Sequence, residues 1–539
     1  MLKLLTRLSA AWGAALLCAC GGSSSQTAAI ATSTAHGTLA INPPFRIASL
    51  TAATFQAELA GNSSAAPLLQ IAGAPACGVD FYYVDFWTRG GAGETTESSG
   101  ALMVPTGAAP ACSGPRPIVL YAHGTNTNKA LNIADITDTT NTEGILIAAM
   151  FAAQGYIVVA PNYAGYDIST LGYHPFLNAE QQSGEMIDIL TAARTALPYT
   201  MSNATSDSGR LFITGYSEGG HVAMATQRAL EASGATVTGA APMSGPYALE
   251  AFGDAIFFGS VDIGATVFSP LLSTSYQKAY GNIYSTPSDL YSSTYATGIE
   301  TLLPSDTPID TIFSTGLLPE TALFDSTTPV VSIPGQPQFS AELTALLSVP
   351  GSASYPIASG PQTPLFAAGF GSPYLINNSY RVLYAQDALS NPDGALPLAP
   401  RAGAPLAAVA PTQPLRLAFY KNDLRNGAWA PTSPTLLCGG DQDPTVFFSL
   451  NTGTMATFWH PLVEAGLITV LDVNAAPAGP FEALQAGFQQ SQAAQLAYYE
   501  SAAGGSLSPE AAEELIVEGY HTSVAPFCAA AARAFFSQL

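Results

Sequence analysis

The chain alternates short, wholly apolar runs with longer stretches in which apolar residues recur at helical spacing. Residues 117–122, 156–161, 211–215 and 237–243 are compact runs of Val, Ile, Leu, Ala and aromatic residues. That is the composition of strands buried on both faces. Ahead of them, 81–87 and 101–105 predict two strands around a Gly-rich turn. The gaps carry helical patterns at 142–154, 178–197 and 218–233, and the second places Glu180, Glu185 and Asp188 on its wet side. Buried strands alternating with helices predict an α/β fold, with a mostly parallel central sheet flanked by helices.

The rhythm then changes. Residues 246–410 are rich in Ser, Thr, Tyr, Pro and Phe, and strand-like runs are weak there. The alternation resumes at 435–439 and 467–471, and 480–500 and 523–538 read as closing helices. A long segment inserted between sheet strands predicts a cap over the strand ends. The resulting organisation is a signal segment at 1–19, a tether at 20–45, a core at 46–245 and 411–539, and an inserted cap at 246–410.

The first residues read as an address. Lys3 and Arg7 form a positive region, and the apolar stretch 8–17 is too short to span a bilayer. It ends in Leu17-Cys18-Ala19-Cys20-Gly21-Gly22, a block that resembles a bacterial lipobox. By that resemblance Cys20 becomes the mature N-terminus and carries a lipid; an ordinary secretory signal with incidental cysteines is the alternative. Gly21 is not acidic, which points to the outer membrane in a Gram-negative source. The Gly/Ser/Thr/Ala-rich residues 21–35 read as a flexible tether.

Composition narrows the function classes. Hydrophobic residues make up 48% and charged residues 10%, which excludes a disordered chain. Lys+Arg is 16 against Asp+Glu 38, a net charge of −22, so nucleic acid is a poor partner. Cys77, Cys112, Cys438 and Cys528 remain once Cys18 and Cys20 are set aside, and four cysteines permit three pairings. The favoured one joins Cys77 to Cys112 around the first hairpin and Cys438 to Cys528, as an oxidising compartment allows. No Cys-x-x-Cys or His-x-x-x-His spacing exists, so no metal or cofactor is called for.

Four places carry chemistry. Gly215-Tyr216-Ser217-Glu218-Gly219-Gly220 follows an apolar strand and opens a helix, the context of a nucleophile elbow with Ser217 at its tip. His123-Gly124-Thr125-Asn126 directly follows the strand 117–122. Such a loop supplies half of an oxyanion hole, here the N–H of Thr125, within one residue, beside the N–H of Glu218. The Glu218 side chain also suits the start of a helix, as a first-turn acid. On the loop after 435–439, Asp443 fits the acid of a triad better than Asp441. Elimination among the six histidines leaves His521. His36 lies in the tether, His123 in the oxyanion loop, His174 upstream of Ser217 and His221 in the elbow helix, and His460 follows Asp443 too soon. A Cys438–Cys528 bridge would tie the acid loop to the histidine loop.

In this order His-Gly, Gly-x-Ser-x-Gly, Gly-x-x-Asp and His, the chain resembles the α/β-hydrolase superfamily. More narrowly, several segments resemble the secretory lipase group and related bacterial lipoproteins. They are Val158-Val159-Ala160-Pro161-Asn162-Tyr163, Gly215 to Gly220, Asn422-Asp423-Leu424-Arg425, and Tyr520-His521 with Pro526-Phe527-Cys528 behind. Asn162 departs from the Asp that often follows this Pro. The resemblance covers roughly 70–245 and 410–539 and implies a serine carboxylic-ester hydrolase (lipase or esterase) that needs no cofactor. Its expected partners are an apolar ester or polyester substrate and, through the lipid anchor, a membrane at the cell envelope. A serine peptidase of the same fold and a non-catalytic binding lipoprotein are the other readings.

Overall fold

The computed structural model describes residues 29–30, 34–62, 65–138, 140–202, 204–348, 363–396, 405–502 and 508–539. The signal segment, Cys20 and most of the expected tether lie outside the described residues. Nine strands form one sheet: β1 (Phe45–Leu50), β2 (Gly78–Arg89), β3 (Thr95–Thr106), β4 (Gly114–Ala122), β5 (Ile157–Pro161), β6 (Thr205–Tyr216), β7 (Gly239–Met243), β8 (Thr435–Gly439) and β9 (Ile468–Asp472). Their order is β9-β8-β7-β6-β4-β5-β3-β2-β1. The six strands β4 to β9 pair in parallel, and β1, β2 and β3 add an antiparallel end.

Side chains alternate between two cores, as the two-residue period of a strand requires. Val119, Tyr121, Val158, Ala160 and Phe212 point to one face, where helix α1 (Thr142–Met150) and the last helix pack. Ile118, Leu120, Ile157, Val159, Leu211 and Ile213 point to the other, against helices α2 (Ala179–Ala196) and α3 (Glu218–Ala232). Both faces of the parallel strands are therefore dry, which is why their sequences are continuous apolar runs.

Two expectations are corrected here. Glu180 is exposed, but Glu185 and Asp188 are buried. The Glu185 carboxylate accepts from the Ser98 hydroxyl at 2.6 Å and the Ala164 N–H at 3.0 Å. Asp188 accepts from Thr88 at 2.9 Å and pairs with His36 at 2.8 Å. The helix face they share turns inward because distant segments supply its hydrogen bonds. The second correction follows from the first: residues 36–40 are docked, not free. The Gly37 N–H donates to Trp87 O and the Ala40 N–H to Asp85 O, both at 2.8 Å.

Between β7 and β8 the chain builds a separate apolar core. It is mainly helical, from α4 (Leu249–Phe258) and α5 (Ala265–Tyr280) to α6 (Asn378–Ser390), with a two-stranded pair at Phe324–Asp325 and Phe370–Gly371. The core runs on into α7 (Pro414–Asn422) through Leu415 and Phe419. Buried arginines hold it together. Arg416 makes two 2.8 Å bonds to Asp254, and Arg425 clasps Asp393 and Asp423 at 2.7 Å each. Such pairs are costly to break, because removing one partner leaves a buried charge uncompensated.

Candidate active site

Ser217 stands between β6 and α3 with φ 60° and ψ −122°, a conformation that is strained for a side-chain-bearing residue. The turn closes because Gly219 has no side chain: a Cβ there would collide with the carbonyl group of Ala122 at the end of β4. The same close approach brings the β4 loop beside the serine.

Helix α8 (Tyr520–Phe536) begins one residue before His521, so the histidine sits in its first turn rather than in a loop before it. Its Nε2 accepts from Ser217 Oγ at 2.9 Å, and its Nδ1 donates to Asp443 Oδ2 at 2.6 Å. The other oxygen of Asp443 accepts the N–H groups of Thr445 (2.9 Å) and Val446 (3.0 Å). These three contacts fix the carboxylate beside the imidazole. Tyr216 OH donates to the His521 carbonyl and adds a further clamp.

Asp441 takes no part. It is exposed and accepts from Asn474 Nδ2 at 2.8 Å. Asp443→Asn should therefore lower kcat by about 10⁴, as loss of the imidazole's orienting partner does in serine hydrolysis. Asp441→Asn should change kcat less than twofold. Steady-state turnover of a chromogenic ester by the two variants checks this; equal losses would remove Asp443 from its place.

The β4 loop is held by a residue that the sequence did not single out. Glu143, in the first turn of α1, accepts the Gly124 N–H at 3.0 and 3.1 Å and the Tyr121 hydroxyl at 2.6 Å. The Gly124 N–H is thus engaged, and the next one, on Thr125, borders the same pocket as Ser217 and Glu218. The Glu218 N–H lies in the first turn of α3, where N–H groups have no intrahelical acceptor. A first-turn glutamate carries no motif, so only the fold reveals Glu143.

Glu218 is the first-turn acid of α3, and its side chain is buried. Its Oε1 meets His174 Nε2 at 2.7 Å and Gln182 Nε2 at 2.6 Å, and the ring's Nδ1 faces Ala164 O at 3.0 Å. His123 lies between the carbonyls of Gly124 and Asn162, and His460 is exposed beside Glu464. Asn162 is structural: its Oδ1 accepts the Ile133 N–H at 2.8 Å and its Nδ2 donates to Ser99 Oγ at 2.8 Å.

His221 is buried with Nε2 on the Asn422 carbonyl at 2.9 Å, and burial pushes its pKa down from 6.5 to about 4. Between those values the folded ring stays neutral while the unfolded ring takes a proton, so stability falls as pH drops through that window. Urea midpoints of wild type and His221→Gln at pH 7 and pH 5 should diverge, with wild type losing more. Parallel losses would count against it.

The four cysteines pair as Cys77–Cys112 and Cys438–Cys528. The second joins the end of β8, five residues before Asp443, to α8, seven residues after His521.

The sequence matches no protein-family model and no curated protein. Solved structures do match. A point mutant of the rice cell wall degrading esterase LipA from Xanthomonas oryzae superposes with a TM-score of 0.58 at 25% identity, covering 81% of this chain and 91% of that one. A Legionella pneumophila protein assigned as a hydrolase gives 0.57 at 17% identity over 92% and 96%. The chain belongs to the α/β-hydrolase superfamily. In this α/β-hydrolase the Ser, Asp and His come in the order that the fold uses, at the carboxyl ends of β6 and β8 and at the start of the closing helix. A pocket runs from Ser217 into the segment between β7 and β8. Its walls are Leu249, Phe252, Ile256, Phe268, Leu272 and Phe419, with Thr445 and Val446 beside the acid. A second, more open cleft also borders Ser217 and is lined by Asn126, Thr127, Thr142 and Thr522.

Proposed function

We propose that this hydrolase cleaves carboxylic esters of apolar acids through an acyl-enzyme on Ser217. The observation that carries the reading is the Ser217–His521–Asp443 chain at the mouth of an apolar pocket. His521 takes the Ser217 proton as Oγ attacks the ester carbonyl, and Asp443 stabilises the imidazolium. The N–H groups of Thr125 and Glu218 hold the tetrahedral oxyanion. His521 then returns the proton to the leaving alcohol, which departs through the open cleft, and water repeats the sequence on the acyl-enzyme. The acyl chain lies in the apolar pocket. The segment between β7 and β8 acts as a cap that sets which acyl groups fit.

The test is hydrolysis of p-nitrophenyl esters from acetate to palmitate. The expected result is turnover with an optimum at a chain that fills the pocket. Labelling of Ser217 by a fluorophosphonate without turnover of any ester would overturn the substrate class and point to peptides.

The enzyme is exported and tethered by a lipid on Cys20, with a short linker before the docked residues 36–40. The two disulfides fit an oxidising compartment. No helix among the described residues is long and apolar enough to cross a membrane. Cys20→Ser should move the protein from the membrane pellet to the soluble fraction; an unchanged distribution would exclude the anchor.

A further inference from the structure

A carboxyl removed from water costs free energy unless a partner replaces the water. Asp262 is only 5% exposed and lines the apolar pocket that begins at Ser217. Its Oδ1 has no hydrogen-bond partner. Among the described residues no cation pairs with it: the charged group that acts on it is Asp443, another acid. Burial first, and that negative neighbour as well, raise the Asp262 pKa well above the ordinary carboxylate range. Burial and the neighbouring carboxylate both favour the protonated carboxylic acid, which can donate one hydrogen bond and accept others.

The position of Asp262 is fixed by its backbone. The Ile263 N–H donates to the Pro444 carbonyl at 3.1 Å, and the Asp262 carbonyl accepts the Ala265 N–H at 3.3 Å as α5 begins. Asp262 therefore stands against the acid loop, toward the reacting end of the pocket, among the side chains that would enclose an acyl group. A plain alkyl chain would leave its polar atoms unpaired.

We propose that Asp262 recognises an oxygen on the acyl chain, making hydroxyacyl esters the preferred substrates. This rests on the ester-hydrolase reading above and names the acyl class within it. A substrate hydroxyl accepts from the neutral acid and donates to its carbonyl oxygen. A cationic chain would instead require an ionised carboxylate, which burial and Asp443 both oppose. Polyesters of hydroxy acids present acyl groups of this class.

The experiment compares kcat/KM for p-nitrophenyl octanoate, 3-hydroxyoctanoate, 6-hydroxyoctanoate and 3-aminooctanoate. Wild type should favour at least one hydroxyacyl ester over octanoate by about tenfold or more, since a site that hydrogen-bonds a substrate hydroxyl discriminates against its absence. In Asp262→Leu the ratio should fall to about one, and Asp262→Asn should keep much of it. Using the ratio makes the result independent of how much active protein each variant yields. Octanoate equal to or better than both hydroxyacyl esters in wild type overturns the proposal without any variant. So does a ratio that survives in Asp262→Leu, or a preference for the aminoacyl ester. Octanoate turnover with a ratio of one refutes this inference alone, whereas failure to hydrolyse any ester refutes the ester-hydrolase reading itself.

Discussion

Replacing Ser217 by alanine should lower kcat toward esters by about 10⁴ to 10⁶ while leaving the fold intact. The loss is large because in the proposed mechanism Ser217 Oγ forms the covalent bond, and among the described residues no other hydroxyl lies on His521 Nε2. The fold should survive because the strained backbone at Ser217 is imposed by the glycine-lined approach of α3 to β4, which alanine shares. The residual rate would come from the two N–H donors and the pocket, which the substitution does not touch. Active-site titration with a fluorophosphonate, together with thermal denaturation, reads both halves. A variant that keeps its rate would show that the chemistry lies elsewhere; a variant that loses its melting transition would show that the hydroxyl is structural.

The second large effect concerns Cys438–Cys528. The bridge closes a loop with a sequence separation of 90. In the chain-entropy model that closure stabilises the folded state by about 4–5 kcal/mol, a large part of the stability of an ordinary domain. Cys77–Cys112, with a separation of 35, contributes roughly 1 kcal/mol less by the same logic. Only the longer bridge also joins the strand that leads to Asp443 to the helix that carries His521. Its removal by the double serine variant should shift the urea midpoint strongly. It should also lower kcat by about 10–100-fold, because loosening either end moves the Asp443–His521 contact off its 2.6 Å geometry. The Cys77/Cys112 double variant should lose stability with kcat nearly unchanged. Equal kcat in the two variants would separate the bridge from the chemistry.

The parallel strands were legible because a strand segment dry on both faces has to be a continuous apolar run, and β5 and the second halves of β4 and β6 are such runs. β1 was not. Its residues are mostly exposed at the sheet's edge, so Phe45–Leu50 has no core pattern to read. The short helices of the long segment were missed for a related reason. Their apolar residues pack on one another inside a separate core rather than along one stripe facing a sheet. Ser217 and His521, which the structure brings to 2.9 Å of each other, were legible from the order of motifs along the chain. Asp443 and Asp441 differ by two positions, and only the fold shows which one reaches the ring. Glu185 and Asp188 read as wet, because most of the groups that satisfy them lie 21 to 152 residues away in sequence. Hydrophobic periodicity has no means of reporting such partners.

β7 and β8 are neighbours in the sheet, with Met243 paired to Cys438. The segment between them thus leaves and re-enters at one place. Such a segment is a module in the genetic sense: an insertion, deletion or exchange there leaves every strand register as it was. The segment proposed to set which acyl groups fit is thereby free to diverge under selection, while Ser217, Asp443 and His521 keep their mutual geometry. Relatives with the same three residues and unrelated inserts are the expected product of that arrangement, and their diets would be poorly forecast by their cores.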